Sequence, residues 1–580
     1  MGLKSSMKNF RRFSGGLLRR YDTRFGLPKP RQRLMVGSKH KTKCGRSPKM
    51  SWPFSAVLAV TEGIIDPNRP ALIHGATVRT WGELTRRTDA LAAAFVQAGI
   101  PPGAKVAHYM RNRTEYMETS VACWKAGLTH VNINYRYTEN ELFYIFDNSD
   151  AAVIVYAEEF APQVAALRPR LEKVQLFIEV SDGGGPQAFA QSFEALISFG
   201  SALRDTPPGS DDLLFIYTGG TTGMPKGVMW AQRDLWAALG GGSPAPGMPA
   251  PESLEAFGQL LREGQTGMPT LICAPLMHGA GYLIAVNQLL RGGTVITAAG
   301  ASFDAEAALD AMATHKAAVA AIVGDAFGRP LARALEAHPG RWDLSGTRMI
   351  ISSGAMWSAE AKAMLGKHMP GTILLDTLGS SEVMGMGMSM TPGAAAGASP
   401  TRFMADARTK VITDDGREVA AGSGEIGRIF RGGPIPLGYY KDETKSGRTF
   451  MEYNGARYAV PGDYATIEAD GSITLLGRGS QVINTGGEKV FVEEVEEALK
   501  THPAVEDALV FGVADEKWGQ AVTAVVETTQ PVTFEELVAH LRQTLAPYKS
   551  PKRIVFTQKV PRGPNGKANY EAAKAMAAEI

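Results

Sequence analysis

Cysteine is nearly absent, with Cys44, Cys123 and Cys273 the only three in 580 residues. An odd number at wide spacing excludes a disulfide framework and fits a reducing compartment, so a cytoplasmic location is expected. Histidine is also sparse, at ten residues, and no Cys/His cluster has zinc-ligand spacing. No apolar run approaches the roughly 20 residues that a membrane-spanning helix needs. The apolar stretch at 317–323 is far too short and reads as a buried strand. No Gly-x-Ser-x-Gly elbow occurs, so nothing points to a serine hydrolase.

Excess charge of one sign is confined to one end. Residues 1–49 hold 15 Lys and Arg against a single acid, Asp22, while the remainder holds 46 basic and 57 acidic side chains. The mildly acidic remainder offers no basic face for nucleic acid. The tail's Arg- and Ser-containing composition leaves a targeting peptide open, and Met1-Gly2 with Ser6 fits the myristoylation pattern. Met50 starts a segment that looks like a natural beginning. We therefore read residues 1–49 as a tail outside the fold, or as a reading frame begun too far upstream.

What is present is ample core material: 44% hydrophobic and 21% charged residues in a chain long enough for two or more domains. Strand-then-helix alternation predicts an α/β domain with a mainly parallel, helix-covered sheet. The expected strands are 152–156, 213–217, 318–323, 349–352 and 372–375. Helices are expected from Trp81, on the spacing of Leu84, Leu91 and Phe95, and over 138–146, where Thr138 and Glu141 stand as a capping box. The Gly/Pro-rich stretch 240–251 reads as a loop. After about residue 405, Gly/Arg-punctuated strands predict a small β-rich antiparallel subdomain. A compact α+β unit of about 100 residues follows. The expected division is 50–477 as the large N-terminal domain, 478–480 as a hinge and 481–580 as the small C-terminal domain.

The strand Leu213–Tyr217 runs into Thr218-Gly219-Gly220-Thr221-Thr222-Gly223-Met224-Pro225-Lys226-Gly227. Glycines let backbone N–H groups turn towards phosphate oxygens, hydroxyls add donors, and lysine adds positive charge. It is not a Walker loop, which has Gly immediately before Lys and Ser/Thr immediately after it. Here Lys226 lies between Pro225 and Gly227.

This loop closely resembles the signature of the adenylate-forming superfamily, which contains acyl-CoA synthetases, peptide-synthetase adenylation domains and firefly luciferase. Further family motifs follow in order. Asp376-Thr377-Leu378-Gly379-Ser380-Ser381-Glu382 resembles the motif in which the glutamate binds the Mg2+ accompanying ATP and the residue before it touches the α-phosphate. Leu378 stands where the family usually has an aromatic on adenine. Asp463 of Tyr458-Ala459-Val460-Pro461-Gly462-Asp463 matches the aspartate that holds both ribose hydroxyls, and Arg478 matches an arginine on ribose or phosphate. Ser480 replaces the usual charged hinge residue. Gly487, in Asn484-Thr485-Gly486-Gly487-Glu488-Lys489-Val490, matches the glycine that leaves room for pantetheine. Lys567, closing Pro561-Arg562-Gly563-Pro564-Asn565-Gly566-Lys567, matches the lysine on substrate carboxylate and α-phosphate. His278 matches a position beside the carboxylate and incoming thiol, and Gly354 a turn lining the adenine and acyl pockets.

The resemblance implies a large N-terminal domain hinged to a small mobile one. It also implies a carboxylate activated with ATP and Mg2+ and passed to coenzyme A as co-substrate. Segments 132–137, 324–327 and 477–480 resemble those of fatty-acyl and steroid-side-chain CoA synthetases. Two other readings stay open: an adenylation enzyme that loads a carrier protein, and a non-catalytic nucleotide-binding protein. A homo-oligomer is also left open.

Overall fold

The computed structural model describes residues 52–199, 212–218, 224–245, 247–355, 357–397, 401–485, 488–515, 519–563 and 566–578. The basic tail, Gly219–Gly223 and Gly487 lie outside the described residues.

Local sequence sets the elements. The helix Trp81–Gln97 starts where Thr80 accepts from Glu83 N at 3.2 Å and Glu83 returns a carboxylate to Thr80 N at 2.8 Å. Its apolar stripe, Leu84, Leu91 and Phe95, is fully buried, worth about 1.5–3 kcal/mol per side chain against exposure. The helix Glu139–Asn148 begins where expected, with the Glu141 carboxylate accepting from Thr138 N at 2.8 Å.

Two eight-stranded sheets carry most of the chain. In one, Pro70–His74, Val295–Thr297, Thr270–Ile272, Val319–Ile322, Met349–Ser353 and Ile373–Ser380 are parallel, and Thr77–Thr80 and Val383–Pro392 close the edges antiparallel. In the other, Leu213–Thr218, Thr129–Asn132, Lys105–Tyr109, Ala151–Ala157, Leu176–Val180 and Gln191–Ser192 are parallel. Lys226–Ala231 and Gly438–Tyr439 add two antiparallel strands to it. All seven residues of Ala151–Ala157 are buried, as suits a parallel strand covered on both faces. Six other strands between residues 409 and 478 form an antiparallel sheet of their own.

A fourth, five-stranded sheet is built only from residues 483–557 and packs with the helices Val492–Lys500 and Phe534–Leu541. Its core joins Val495, Leu499, Val510, Val526 and Leu537.

One strand is longer than expected. The segment predicted at 372–375 runs on to Ser380, because Val383–Pro392 folds back and pairs with it as far as Ser380↔Val383. Leu378 and Gly379 are therefore strand residues, and only Ser381 and Glu382 form the turn. With Thr218, Gly354 and the segment after Ile272, this turn gathers the carboxyl ends of strands from both large sheets, where open α/β sheets bind ligands.

Beneath these sheets Arg87 is buried between Glu118, at 2.8 Å, and Glu194, at 2.6 Å. Burial raises the pKa of Glu118 even though Arg87 opposes it. Removing the guanidinium alone would leave the buried Glu118 carboxylate with only the longer Arg79 contact, at 3.4 Å. Arg87→Met is therefore expected to destabilise the fold by about 3 kcal/mol, seen by calorimetry as a lower unfolding midpoint. An unchanged midpoint would show the network to be dispensable.

Candidate active site

One continuous cleft of about 2320 Å³ is lined by Thr218, Lys226, His278, Gly354, Leu378, Gly379, Ser381, Glu382, Asp463, Arg478 and Lys567. The structure thus brings together every expected site residue that it describes. These residues come from strand ends, a turn, a helix start and a loop more than 300 residues apart in the chain.

Glu382 is fixed from two sides. Ser380 Oγ donates to one carboxylate oxygen at 2.9 Å and Tyr439 Oη to the other at 2.8 Å. Trp230 Nε1 donates to Ser381 O at 2.9 Å and pins the turn. Lys226 Nζ pairs with Asp442, which caps the helix Glu443–Thr449 by accepting from Lys445 N at 2.8 Å. The loop's lysine is thus already matched to a carboxylate. Asn132 bridges two walls, taking Tyr217 N at 2.7 Å and donating to Met277 O at 2.6 Å.

Asp463 and Arg478 face one another across paired strands, with Nε donating to Oδ1 at 3.3 Å. The second oxygen, Asp463 Oδ2, is buried and has no hydrogen-bond partner among the described residues. Burial raises the carboxyl pKa, opposed by Arg478. A buried acceptor left open is costly unless a ligand donor fills it.

Lys567 is carried by a tight loop. Gly563 N donates to Lys567 O at 2.7 Å, and Arg562 reaches Gly566 O at 3.1 Å while its other nitrogen holds Asp507 at 2.7 Å. Gly566 has φ +75°, and a Cβ there would lie 2.7 Å from the Ala326 side chain, so only glycine lets the loop seat. Gly354, at φ +85°, a conformation that favours glycine, lies beside the Lys567 stem, whose Cε would be in ordinary contact, at 3.8 Å, with a Cβ at that position. Solvent reaches Lys567 through the cleft while protein surrounds it at longer range. That burial, then the charge of Arg478, lowers its pKa, and Glu382 opposes the shift.

His278 precedes the helix Gly279–Leu290 as its N-cap residue. Burial, then the charges of Lys567 and Arg136, push its pKa down to about 3, so the ring is neutral across the working range.

Sequence reasoning missed Tyr439, Asp442 and Trp230. Each holds a cleft residue, Glu382, Lys226 and Ser381 in turn, and Gly438–Tyr439 pairs with Lys226–Ala231 to bring them there. No local pattern announces such a contact.

The AMP-binding enzyme family matches residues 65–440, and its C-terminal domain matches 494–567. The chain belongs to the AMP-binding enzyme family. It is 41% identical over 521 residues to a 3-oxocholest-4-en-26-oate–CoA ligase of Rhodococcus rhodochrous, covering 88% of this chain and 93% of that one. A medium/long-chain-fatty-acid–CoA/3-oxocholest-4-en-26-oate–CoA ligase of Mycolicibacterium smegmatis is 39% identical over 526 residues, covering 88% and 94%. Among solved structures, the anthranilate CoA ligase AuaEII in complex with anthranoyl-AMP superposes with TM-score 0.76 at 22% identity, covering 91% and 98%. ATP-bound MatB from Rhodopseudomonas palustris gives 0.75 at 22%, covering 91% and 100%. The shared fold is that of adenylate-forming enzymes, with a large N-terminal domain of mixed sheets and helices and a small C-terminal domain.

Near the cleft, burial and then Glu496 push the Glu493 carboxyl up to about 8. Between about 4.5, its ordinary value, and about 8 the folded chain holds a proton that the unfolded chain releases. Stability contributed here therefore falls as pH rises through that window. Glu493→Gln is expected to flatten the decline of the unfolding midpoint over this range. A pH profile parallel to the wild type would refute the assignment.

Proposed function

We propose that this chain is an ATP- and Mg2+-dependent acyl-CoA synthetase that joins a carboxylate to AMP and transfers the acyl group to coenzyme A, releasing AMP and pyrophosphate. The substrate class is a fatty or bulky aliphatic acid, steroid side-chain acids included, as in the relatives that share about two-fifths of its residues. The observation that carries this reading is the meeting of Lys567, Glu382, Arg478 and the half-satisfied Asp463 in one cleft.

The open Asp463 Oδ2 suits a ribose hydroxyl, since a carboxylate accepts two hydrogen bonds from adjacent hydroxyls. Glu382 offers one oriented carboxylate. That suits Mg2+, which keeps several waters and takes one or two carboxylates beside substrate phosphates; when bound it would offset phosphate charge. A carboxylate approaching an α-phosphate is repelled by the triphosphate, so Lys567 neutralises charge and aligns both anions. Lys226 would exchange Asp442 for phosphate oxygen. His278, being neutral, lines the carboxylate without adding charge.

The acyl-adenylate hydrolyses readily, which calls for a closed site. Rotation about residues 478–480 would then withdraw Lys567 and turn Gly487 towards the thiol path, a hinge motion between two productive states.

Mass spectrometry of a reaction with ATP, Mg2+, coenzyme A and a panel of fatty, aryl and steroid side-chain acids should show a new acyl-CoA. Acyl-adenylate without acyl-CoA would point instead to a carrier-protein acceptor. Lys567→Ala should lower adenylation at least about a hundredfold yet spare thioester formation from supplied acyl-adenylate. Equal loss of both half-reactions would count against the hinge mechanism.

A further inference from the structure

The strand Thr129–Asn132 pairs with Leu213–Thr218 through His130↔Leu214 and Val131↔Phe215. Beyond those pairs Asn132 continues the contact with its side chain. Oδ1 accepts from Tyr217 N at 2.7 Å, while Nδ2 donates to Tyr217 O at 3.1 Å and to Met277 O at 2.6 Å. A primary amide has one carbonyl and two N–H groups, and all three are engaged here. The residue is only 4% exposed. On its other side Tyr217 pairs with Gly227, and Thr218 with Lys226, so the same bridge steadies the strand pair that carries the loop lysine.

At the other end of the bridge, Met277 precedes His278, the N-cap residue of the helix Gly279–Leu290. Asn112 holds this segment too, accepting from Leu276 N at 2.7 Å and donating to Ala274 O at 3.1 Å. His130 shares a strand face with Asn132, and its ring lies flat on that of Tyr282, one turn into the helix, at 4.3 Å and 8°. A Cβ at Gly279 would lie 3.6 Å from Ser381 Oγ and 4.0 Å from Ile216 Cδ1. The strand end, the helix start and the turn before Glu382 therefore meet, and Asn132 bonds to the first two.

We infer that Asn132 is a positioning residue for adenylate formation, which sets the separation between the strand end at Tyr217 and the helix start at His278 by tying Tyr217 to Met277. The inference rests on the acyl-CoA synthetase reading, in which the first side holds the ATP phosphates and the second the carboxylate. Asn132 supplies neither charge nor proton and acts through the two backbones it joins. Two anions held on separate elements react only when brought into line, and a misplacement of about 1 Å costs about a hundredfold in rate. Once the acyl-adenylate has formed, a covalent bond fixes that separation, and the thioester step no longer needs the tie.

The test follows adenylation by ATP–pyrophosphate exchange with a fatty acid, and thioester formation from supplied acyl-adenylate and coenzyme A. The variants are Asn132→Ala and Asn132→Asp, the latter keeping the size and the acceptor for Tyr217 N but losing both donors. Each should lower kcat of exchange about a hundredfold, with KM for ATP and for acid little changed, and should leave the thioester step near the wild-type rate. Proportional loss of both half-reactions, or failure of both variants to fold, makes Asn132 a structural residue and overturns the inference. An unchanged kcat of exchange overturns it as well. So does a raised KM for one ligand with kcat retained, which would mean direct contact with that ligand. A wild-type enzyme that supports exchange with no acid overturns the synthetase reading and this inference with it.

Discussion

The cleft depends on one contact between distant parts of the chain. Lys567 sits on a loop whose scaffold is the sheet of residues 483–557, yet the charges that act on it, Arg478 and Glu382, come earlier. The loop is seated by Gly566 against Ala326. Beside it Lys500 lies 3.6 Å from Asp325, Arg333 pairs with Glu506, and Ala359 N donates to Glu497 at 3.4 Å. Lys500 and Asp325 are almost wholly buried, and a buried pair roughly breaks even against its desolvation. What the pair supplies is register, because only one placement of the Val492–Lys500 helix matches it. Asp325 also accepts from Ser358 N at 2.8 Å and from Arg329, so it keeps partners when Lys500 leaves. An interface of this kind can separate without stranding a charge on the larger side.

Within the cleft, burial acts on opposite charges in the same sense, towards neutrality. Asp463 and Glu493 are raised, and Lys567 is lowered. Each shift is a desolvation cost that a group of the right sign or hydrogen-bonding character would relieve. Clustering of such shifts in a concave site distinguishes it from surface ion pairs, which perturb titration without demanding a ligand. Glu382 differs, because Ser380 and Tyr439 already share its two oxygens. It is an oriented carboxylate rather than an open one.

Much of this was legible in sequence because it is local. Uninterrupted apolar runs gave the parallel strands, Thr138 with Glu141 gave a helix start, and punctuation by Gly and Arg after residue 405 gave antiparallel ribbons. The motif residues were placed in one site by their resemblance to the signatures of the adenylate-forming superfamily. Partners across sheets were illegible. Tyr439 reaches Glu382 through a two-residue strand, and Arg562 finds Asp507 across 55 residues. The extension of Ile373–Ser380 was missed for the same reason, since its length is set by the strand that folds back on it.

The cations of the cleft are held with unequal firmness, and the difference follows from the burial of the carboxylate that each one holds, Asp463 being far more buried than Asp442. The Lys226–Asp442 pair is open to solvent, with 35% and 25% of the side chains exposed, and pairs of that kind contribute about 0–1 kcal/mol. Asp442 also keeps its cap on Lys445 N when the lysine departs. Exchange of this carboxylate for a phosphate oxygen is therefore nearly free on the protein's side, and a loop lysine can follow its ligand in and out. Arg478 is different, bound to the buried Asp463 on a paired strand, and its displacement would leave a second oxygen of that carboxylate unpartnered. On the proposed reading, the fixed cation would position the nucleotide, and the exchangeable one would meet charge on entry and release it with product.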